Sequence, residues 1–161
     1  MQHHDAQYLE KPWLIYYADK GHRSYWSYSV FIDTARRLST YLVDNGVHRG
    51  DRVAIAGHNH PDTILAYFAC WLLGACAVPL NMTEDDNRLS YIIENSQAKV
   101  ILARSEYFQR IAALPANASA QRPVIIEVDS DAADPTFYAA LRSCEPLPYP
   151  DVNEDMLWDE C

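Results

Sequence analysis

Residues 52–80 read Arg52-Val-Ala-Ile-Ala-Gly-His-Asn-His-Pro-Asp62, then Thr63-Ile-Leu-Ala-Tyr-Phe-Ala-Cys-Trp-Leu-Leu73, then Gly74-Ala-Cys-Ala-Val-Pro-Leu80. Arg52 to Gly57 is a short β-prone run, and Cys76 to Leu80 is a second one. Between them, Asp62 to Leu73 carries Ile64, Leu65, Tyr67, Phe68, Trp71, Leu72 and Leu73, apolar nearly all round, as in a helix buried on more than one side. Pro61 suits the first turn of that helix because it has no amide hydrogen to leave unpaired there. Gly74 ends it. A strand, a crossover helix and a second strand at this spacing form a βαβ unit with parallel strands.

The same alternation continues downstream. Thr83 with Glu84, Asp85 and Asp86 reads as a helix start, with the Thr83 hydroxyl as cap and three acids complementing the helix dipole. That helix carries Leu89, Ile92 and Ile93 inward and ends near Asn95. Lys99 to Ala103 is a strand, Ser105 to Leu114 a helix, and Ala116 to Arg122 a polar loop. Val124 to Val128 is a further strand, and Asp134-Pro135 opens a helix bearing Phe137, Tyr138 and Leu141.

Upstream, Trp13 to Tyr17 and His22 to Trp26 flank a turn with Asp19 and Gly21, which predicts a β-hairpin. Ser27 or Ser29 caps a helix to about Asn45, with Phe31, Ala35, Leu38 and Leu42 on one stripe and Gly46 at its end. The expected fold is α/β: a mostly parallel sheet flanked by helices in an αβα layer, with an amino-terminal β-hairpin. Residues 1–145 read as one such subdomain. Residues 146–161, with Pro146, Pro148 and Pro150, read as a Pro-rich acidic linker.

Composition narrows the function classes. The net charge of −9 is placed unevenly: residues 1–126 carry 12 acids and 12 bases, whereas residues 127–161 carry ten acids and only Arg142. No basic face is indicated for nucleic acid, so none is expected as a partner. The longest strongly apolar stretch, Thr63 to Leu80, is interrupted by Gly74 and Pro79, so no membrane span is expected either. The start, Met1-Gln2-His3-His4-Asp5, lacks the basic-then-apolar pattern of a secretory signal, and the expectation is a soluble cytoplasmic protein. Cys70, Cys76, Cys144 and Cys161 have no paired spacing and read as free thiols.

The residue types invite three candidate chemistries. His58-Asn59-His60, with Asp62 close by, has two ring nitrogens two residues apart, but no third metal ligand is indicated, so the expectation is a strand-to-helix turn without a metal. A phosphate cradle needs glycines, and the only five are Gly21, Gly46, Gly50, Gly57 and Gly74. No nucleophile elbow appears. Arg104 and Arg110 flank a predicted helix start where an anion can bind, or they belong to an ordinary solvated face.

Five segments, in order, resemble the adenylate-forming enzymes: acyl- and aryl-CoA synthetases, luciferases and peptide-synthetase adenylation domains. They are Ser24-Tyr-Trp-Ser-Tyr28, Asn45-Gly-Val-His-Arg-Gly-Asp-Arg-Val-Ala-Ile55, Asn59-His-Pro-Asp62, Leu73-Gly-Ala-Cys-Ala-Val-Pro-Leu-Asn81 and Arg88-Leu-Ser-Tyr-Ile-Ile-Glu-Asn-Ser-Gln-Ala-Lys-Val100. The resemblance covers about residues 13 to 105 and implies a partial copy of the family's large domain. It implies an AMP-forming acyl-CoA synthetase that joins a small-molecule carboxylic acid to ATP and then to the thiol of coenzyme A. ATP, Mg2+ and CoA are the implied cofactors of the intact enzyme, and none is expected to bind this chain tightly.

The family's Ser/Thr/Gly-rich phosphate loop, its adenine and ribose motifs and its carboxy-terminal lysine have no counterpart here, so no catalytic residue carries over. The resemblance implies that the chain stops just before the phosphate loop. Its main partner is then the remainder of its own polypeptide, and alone it is inactive. Some CoA synthetases hold the 3′-phosphate of coenzyme A with basic residues after the strand matching Lys99 to Ala103, which points to Arg104 and Arg110. Two other readings stay open: a peptide-synthetase adenylation fragment, against which Asn81 leans, and a stand-alone non-catalytic α/β binding domain.

Overall fold

The structure is a computed structural model that describes residues 6–18, 21, 23–115 and 122–149. One short turn of helix, α1 (Ala6–Leu9), precedes an antiparallel hairpin of β1 (Pro12–Tyr17) and β2 (Arg23–Ser27). Next come α2 (Tyr28–Asp44), β3 (Arg52–Ala56), α3 (Pro61–Leu73), β4 (Cys76–Leu80) and α4 (Asp86–Ser96). β5 (Val100–Arg104), α5 (Ser105–Ala113), β6 (Val124–Val128) and α6 (Thr136–Ser143) complete the described part.

The four later strands form one sheet in the order β4-β3-β5-β6, and every pairing is parallel. Both faces are covered, as a parallel sheet requires. Val53, Ile55, Val100 and Leu102 point into a core shared with Phe31, Leu38 and Leu42 of α2 and with α3 and α6. The intervening residues Ala54, Ala56, Ile101 and Ala103 face the opposite way, onto Leu89 and Ile93 of α4 and Ile111 of α5. The period of two thus sorts one strand into two cores. All five residues of β5 are buried, which fits its central place. Pro79 lies on β4, an edge strand among the described residues, where a missing amide hydrogen need not break a ladder.

Local signals explain most boundaries. Ser27 caps α2, its hydroxyl accepting from the Val30 amide at 3.3 Å. Gly74 ends α3 in the left-handed region at φ 73°. The buried Ser39 hydroxyl donates to Ala69 O of α3 at 3.0 Å, so a small polar residue lets the two helices approach. The hairpin is pinned from above by Trp13, whose ring lies 4.0 Å from Phe31 and 5.2 Å from Phe68. α3 buries Leu65, Ala66, Ala69 and Cys70, while Trp71 on its outer side stays 59% exposed, stacked on Tyr67.

One start signal differs from its reading. Thr83 does not cap α4; its hydroxyl and amide both turn back to Asn81 Oδ1, at 2.8 and 3.2 Å. Asp85 takes the role, accepting from the Arg88 amide at 2.9 Å. The physical reason is local competition: an Asn two residues upstream offers Thr83 a turn before the helix begins.

Glu145 and the first described residues of the expected linker, 146–149, lie along α2. Arg36 and Leu147 exchange hydrogen bonds, Arg36 Nε to Leu147 O at 2.5 Å and Leu147 N to Arg36 O at 3.1 Å. Thr40 donates to Glu145 O, and Arg36 sits over the Tyr149 ring at 4.2 Å. The remaining residues of the expected linker, 150–161, lie outside the described part.

Candidate functional site

β3 and β5 are neighbours whose chains leave in opposite directions. β3 runs into α3 on one face of the sheet, and β5 runs into α5 on the other. Such a divergence opens a crevice at the carboxyl ends of the strands, the usual place for a ligand in an open α/β sheet. Here the crevice is filled by side chains.

Asp62, in the first turn of α3, is the hub, and only 5% of it is exposed. Arg104, the last residue of β5, donates Nη1–H to Asp62 Oδ2 at 2.5 Å. Ser130, from the turn after β6, donates to the same oxygen at 2.5 Å, and Tyr138 of α6 donates to Oδ1 at 2.6 Å. His60 Nδ1 lies 2.7 Å from Arg104 Nη1 and 2.8 Å from Asp62 Oδ2. As Nδ1–H it donates to the carboxylate; bare, it accepts from the guanidinium and from the Asp62 amide at 3.3 Å, capping α3. The second Arg104 amino group pairs with Asp131, and Arg104 Nε donates to Glu106 at 3.1 Å. Glu106 in turn meets His58 Nδ1 at 2.8 Å.

The electrostatics follow from these contacts. Burial alone pushes the Asp62 carboxyl up, but the hydrogen bonds from His60, Ser130 and Tyr138 outweigh it and hold the group below the ordinary carboxylate range. Glu106 is lowered as well: burial again works against ionisation, and its own backbone amide and Arg104 overcome it. Burial, with the Asp62 charge adding to it, drives the Tyr138 hydroxyl far up, so it stays a donor. Burial works against the Arg104 charge, yet Glu106, Asp62 and Asp131 raise its pKa further.

Chemically, the cluster holds loops together and leaves little for catalysis. Both Asp62 oxygens already receive strong donors, so the carboxylate has no open position for a substrate proton. Three carboxylates surround one guanidinium, which disfavours an added anion. A phosphate cradle does not fit the β3–α3 turn either, because a Cβ at Gly57 would lie 2.6 Å from Thr63 Oγ1. The turn is closed by its own side chains. Among the described residues no group of His, Cys, Asp and Glu is placed to hold a metal ion. In front of the cluster, between it and the hairpin, is an open cavity of about 490 Å3 walled by Tyr16, Trp26, His60, Asp131 and Tyr138.

Of the residues that stand out in the sequence, the structure brings His58, His60, Asp62 and Arg104 together. Arg110 is placed apart from them. It sits in the last turn of α5 and donates to Asp86 Oδ1 at 2.8 Å, Met82 O at 2.7 Å and Glu84 O at 2.5 Å, which ties α5 to the approach to α4. Ser130, Asp131 and Tyr138 carry no such signal in the sequence. Tyr138 reads there as one more apolar position on its helix, and nothing local marks it as the partner of an acid 76 residues away.

Comparison with known proteins agrees with this architecture. Residues 1–157 match the AMP-binding enzyme family. A feruloyl-CoA synthase from Amycolatopsis sp is 38% identical over 98 residues, covering 61% of this chain and 19% of the relative. The amino-terminal domain of FACL13 from Mycobacterium tuberculosis superimposes with a TM-score of 0.66 at 27% identity, over 83% of this chain and 32% of that one. ATP-bound MatB from Rhodopseudomonas palustris shares the fold, with a TM-score of 0.70 at 22% identity over 93% of this chain and 29% of that one. The match thus spans only 19% to 32% of the length of these relatives. A βαβ sheet with these turns, matched along nearly its whole sequence, belongs to the AMP-binding enzyme family.

Proposed function

We propose that this chain is the amino-terminal segment of an ATP-dependent, AMP-forming acyl-CoA synthetase. The parent enzyme converts a carboxylic acid and ATP to an acyl-adenylate and pyrophosphate, then passes the acyl group to the thiol of coenzyme A. ATP, Mg2+ and CoA are its cofactors, its substrate is a small carboxylic acid, and its compartment is the cytoplasm. Among the described residues no helix is long and apolar enough to cross a membrane. The observation that supports the reading most is that its sequence relatives include CoA ligases acting on chemically different acids, such as the feruloyl-CoA synthase and a 4-hydroxybutyrate–CoA ligase from Metallosphaera sedula. What such ligases share is the scaffold.

In this reading the 161-residue segment is inactive alone. Catalysis of acyl-adenylate formation needs cations and donors aimed at the reacting phosphate, and the turn at Gly57 is closed to one. The test is carboxylate-dependent ATP–pyrophosphate exchange. The expected outcome is no exchange by the segment and exchange by a longer protein that carries it; exchange by the pure segment overturns the assignment.

A second reading has one observation in its favour. A linear gramicidin synthase from Brevibacillus parabrevis is 30% identical over 113 residues. Amino-acid-dependent exchange by the longer protein, without thioester formation on coenzyme A, would establish it. The assignment of Arg104 and Arg110 to the phosphate of coenzyme A is a separate proposal. Both guanidinium groups already hold protein partners, so their first role in this reading is structural. An Arg110→Ala variant of the longer protein with unchanged affinity for coenzyme A removes that residue from the coenzyme site.

A further inference from the structure

At the other end of the sheet from the Asp62 cluster, α4, α5 and the amino ends of β5 and β6 enclose a cleft of about 420 Å3. Its walls are Ile93, Ile101, Ile111, Leu114 and Ile125, with Ala98 narrowing one side. That volume and apolar lining suit a small molecule. Three cations, Arg52, Lys99 and Arg122, stand at the cleft against one carboxylate, Glu94. Arg52 is steadied by neutral acceptors, Ser96 O at 2.6 Å and Gln97 O at 3.2 Å, so its charge is not cancelled by them.

One group inside the cleft lacks a partner. The Ser90 hydroxyl is buried and makes no hydrogen bond with the described residues, although it lines the apolar wall. Buried hydroxyls are nearly always paired, and a helical serine normally turns to a carbonyl of the preceding turn. Ser90 and Gln97 are seven residues apart on or just past α4, so the unpaired donor and the Arg52 end of the cleft are separated by roughly 10 Å.

We infer that this cleft is a ligand site for a small amphipathic anion, whose charged end meets the Arg52–Lys99–Arg122 rim and whose apolar body carries an oxygen that accepts from Ser90. Charge complementarity fixes the sign of the ligand. A half-open cleft of this volume suits one small molecule rather than a lipid surface. The site stands independently of the ligase reading, because binding here needs neither ATP nor turnover.

The test is calorimetric titration of the 161-residue chain with octyl sulfate and with 8-hydroxyoctyl sulfate, both below their micelle concentrations, and with octyltrimethylammonium as the cationic counterpart. Saturable one-to-one binding of the two sulfates and none of the cation is expected. The hydroxylated probe binds at least as tightly as the plain one, and Ser90→Ala removes that parity by weakening the hydroxylated probe alone. Ala98→Leu fills the cleft and weakens both sulfates on the order of tenfold, from lost burial of the apolar body. Lys99→Glu, at an exposed position, weakens both by about fivefold, the scale of one exposed ion pair. Far-ultraviolet circular dichroism confirms that each variant folds. Absence of saturable sulfate binding, equal binding of the cation, or affinities unmoved by Ala98→Leu and Lys99→Glu overturns the proposal. Unchanged discrimination between the two sulfates in Ser90→Ala overturns the placement of the oxygen.

Discussion

Arg104 reaches from the end of β5 to Asp62 in the first turn of α3, with Nη1 and Oδ2 2.5 Å apart and both side chains almost wholly buried. The two residues stand on elements that part company at the crevice, so their contact bridges the divergence between β3–α3 and β5–α5. Neither tolerates losing the other, because a lone charge in a buried position loses its water without compensation.

Arg104→Met should therefore destabilise the chain by about 3 kcal/mol, read from urea unfolding. Asp62→Asn should cost less, since Arg104 keeps Glu106 and Asp131 as partners and the single amide oxygen still accepts on one side of the cluster, from Tyr138 or from Ser130. The double variant should be more stable than the sum of the two losses implies, by more than about 0.5 kcal/mol. Additive losses would mean that the two side chains do not act as a pair.

Acid should loosen the same region first. The folded-state pKa values of Asp62, Glu106 and Asp129 are all held below the ordinary carboxylate value. Their contribution is complete at pH values where the unfolded carboxyls are also ionised. It fades as pH falls below about 4, where the unfolded chain takes up protons that the folded chain refuses. Melting temperatures from pH 7 to pH 3 should show this decline, with a shallower slope in Asp62→Asn. An equal slope in the variant would remove Asp62 from the account.

Cys70 should be inert. It lies fully buried on the inner side of α3, and burial, with Cys76 nearby, pushes its thiol up to about 12. Only the thiolate reacts readily. Iodoacetamide at pH 8 should leave Cys70 unmodified in the folded chain and label it after urea denaturation, as mass spectrometry of the peptides would show. Labelling of Cys70 at the rate of a free thiol would mean that α3 opens readily.

Gly57→Ala should be costly although the backbone there is ordinary. The added carbon would lie 2.6 Å from Thr63 Oγ1, which is itself held by donation to His58 O at 2.7 Å. The expected loss is about 2 kcal/mol, partly restored by adding Thr63→Ala, which makes room. No rescue would place the conflict on the Arg104 stem, 3.6 Å away.

Much of this architecture is legible from residue patterns, for reasons the structure makes plain. Ser27, Gly74 and the strand runs act through neighbours within a few residues, so their effects are local and readable. Thr83 shows where local reading slips, since two plausible local partners compete and Asn81 wins. The site is harder. His60, Asp62 and Arg104 stand out by residue type, but Ser130 and Tyr138 join them only because β6 lies beside β5 and returns its chain over the crevice. No spacing in the sequence carries that information. The capping of α6 is similar: Asp129, seven residues upstream of Thr136, accepts from the Thr136 and Phe137 amides in place of a side chain at Pro135.

The convergence of Tyr138, Ser130 and Arg104 on one carboxylate also bears on how the domain breathes. Three βα connections, after β3, β5 and β6, share a single anchor. Loops tethered separately would fray one at a time, each with its own opening free energy. Loops tethered at a common atom open together, as one cooperative unit whose amides exchange with solvent at matched rates. The end of the sheet where ligands usually enter such folds is, in this protein, its most concerted part.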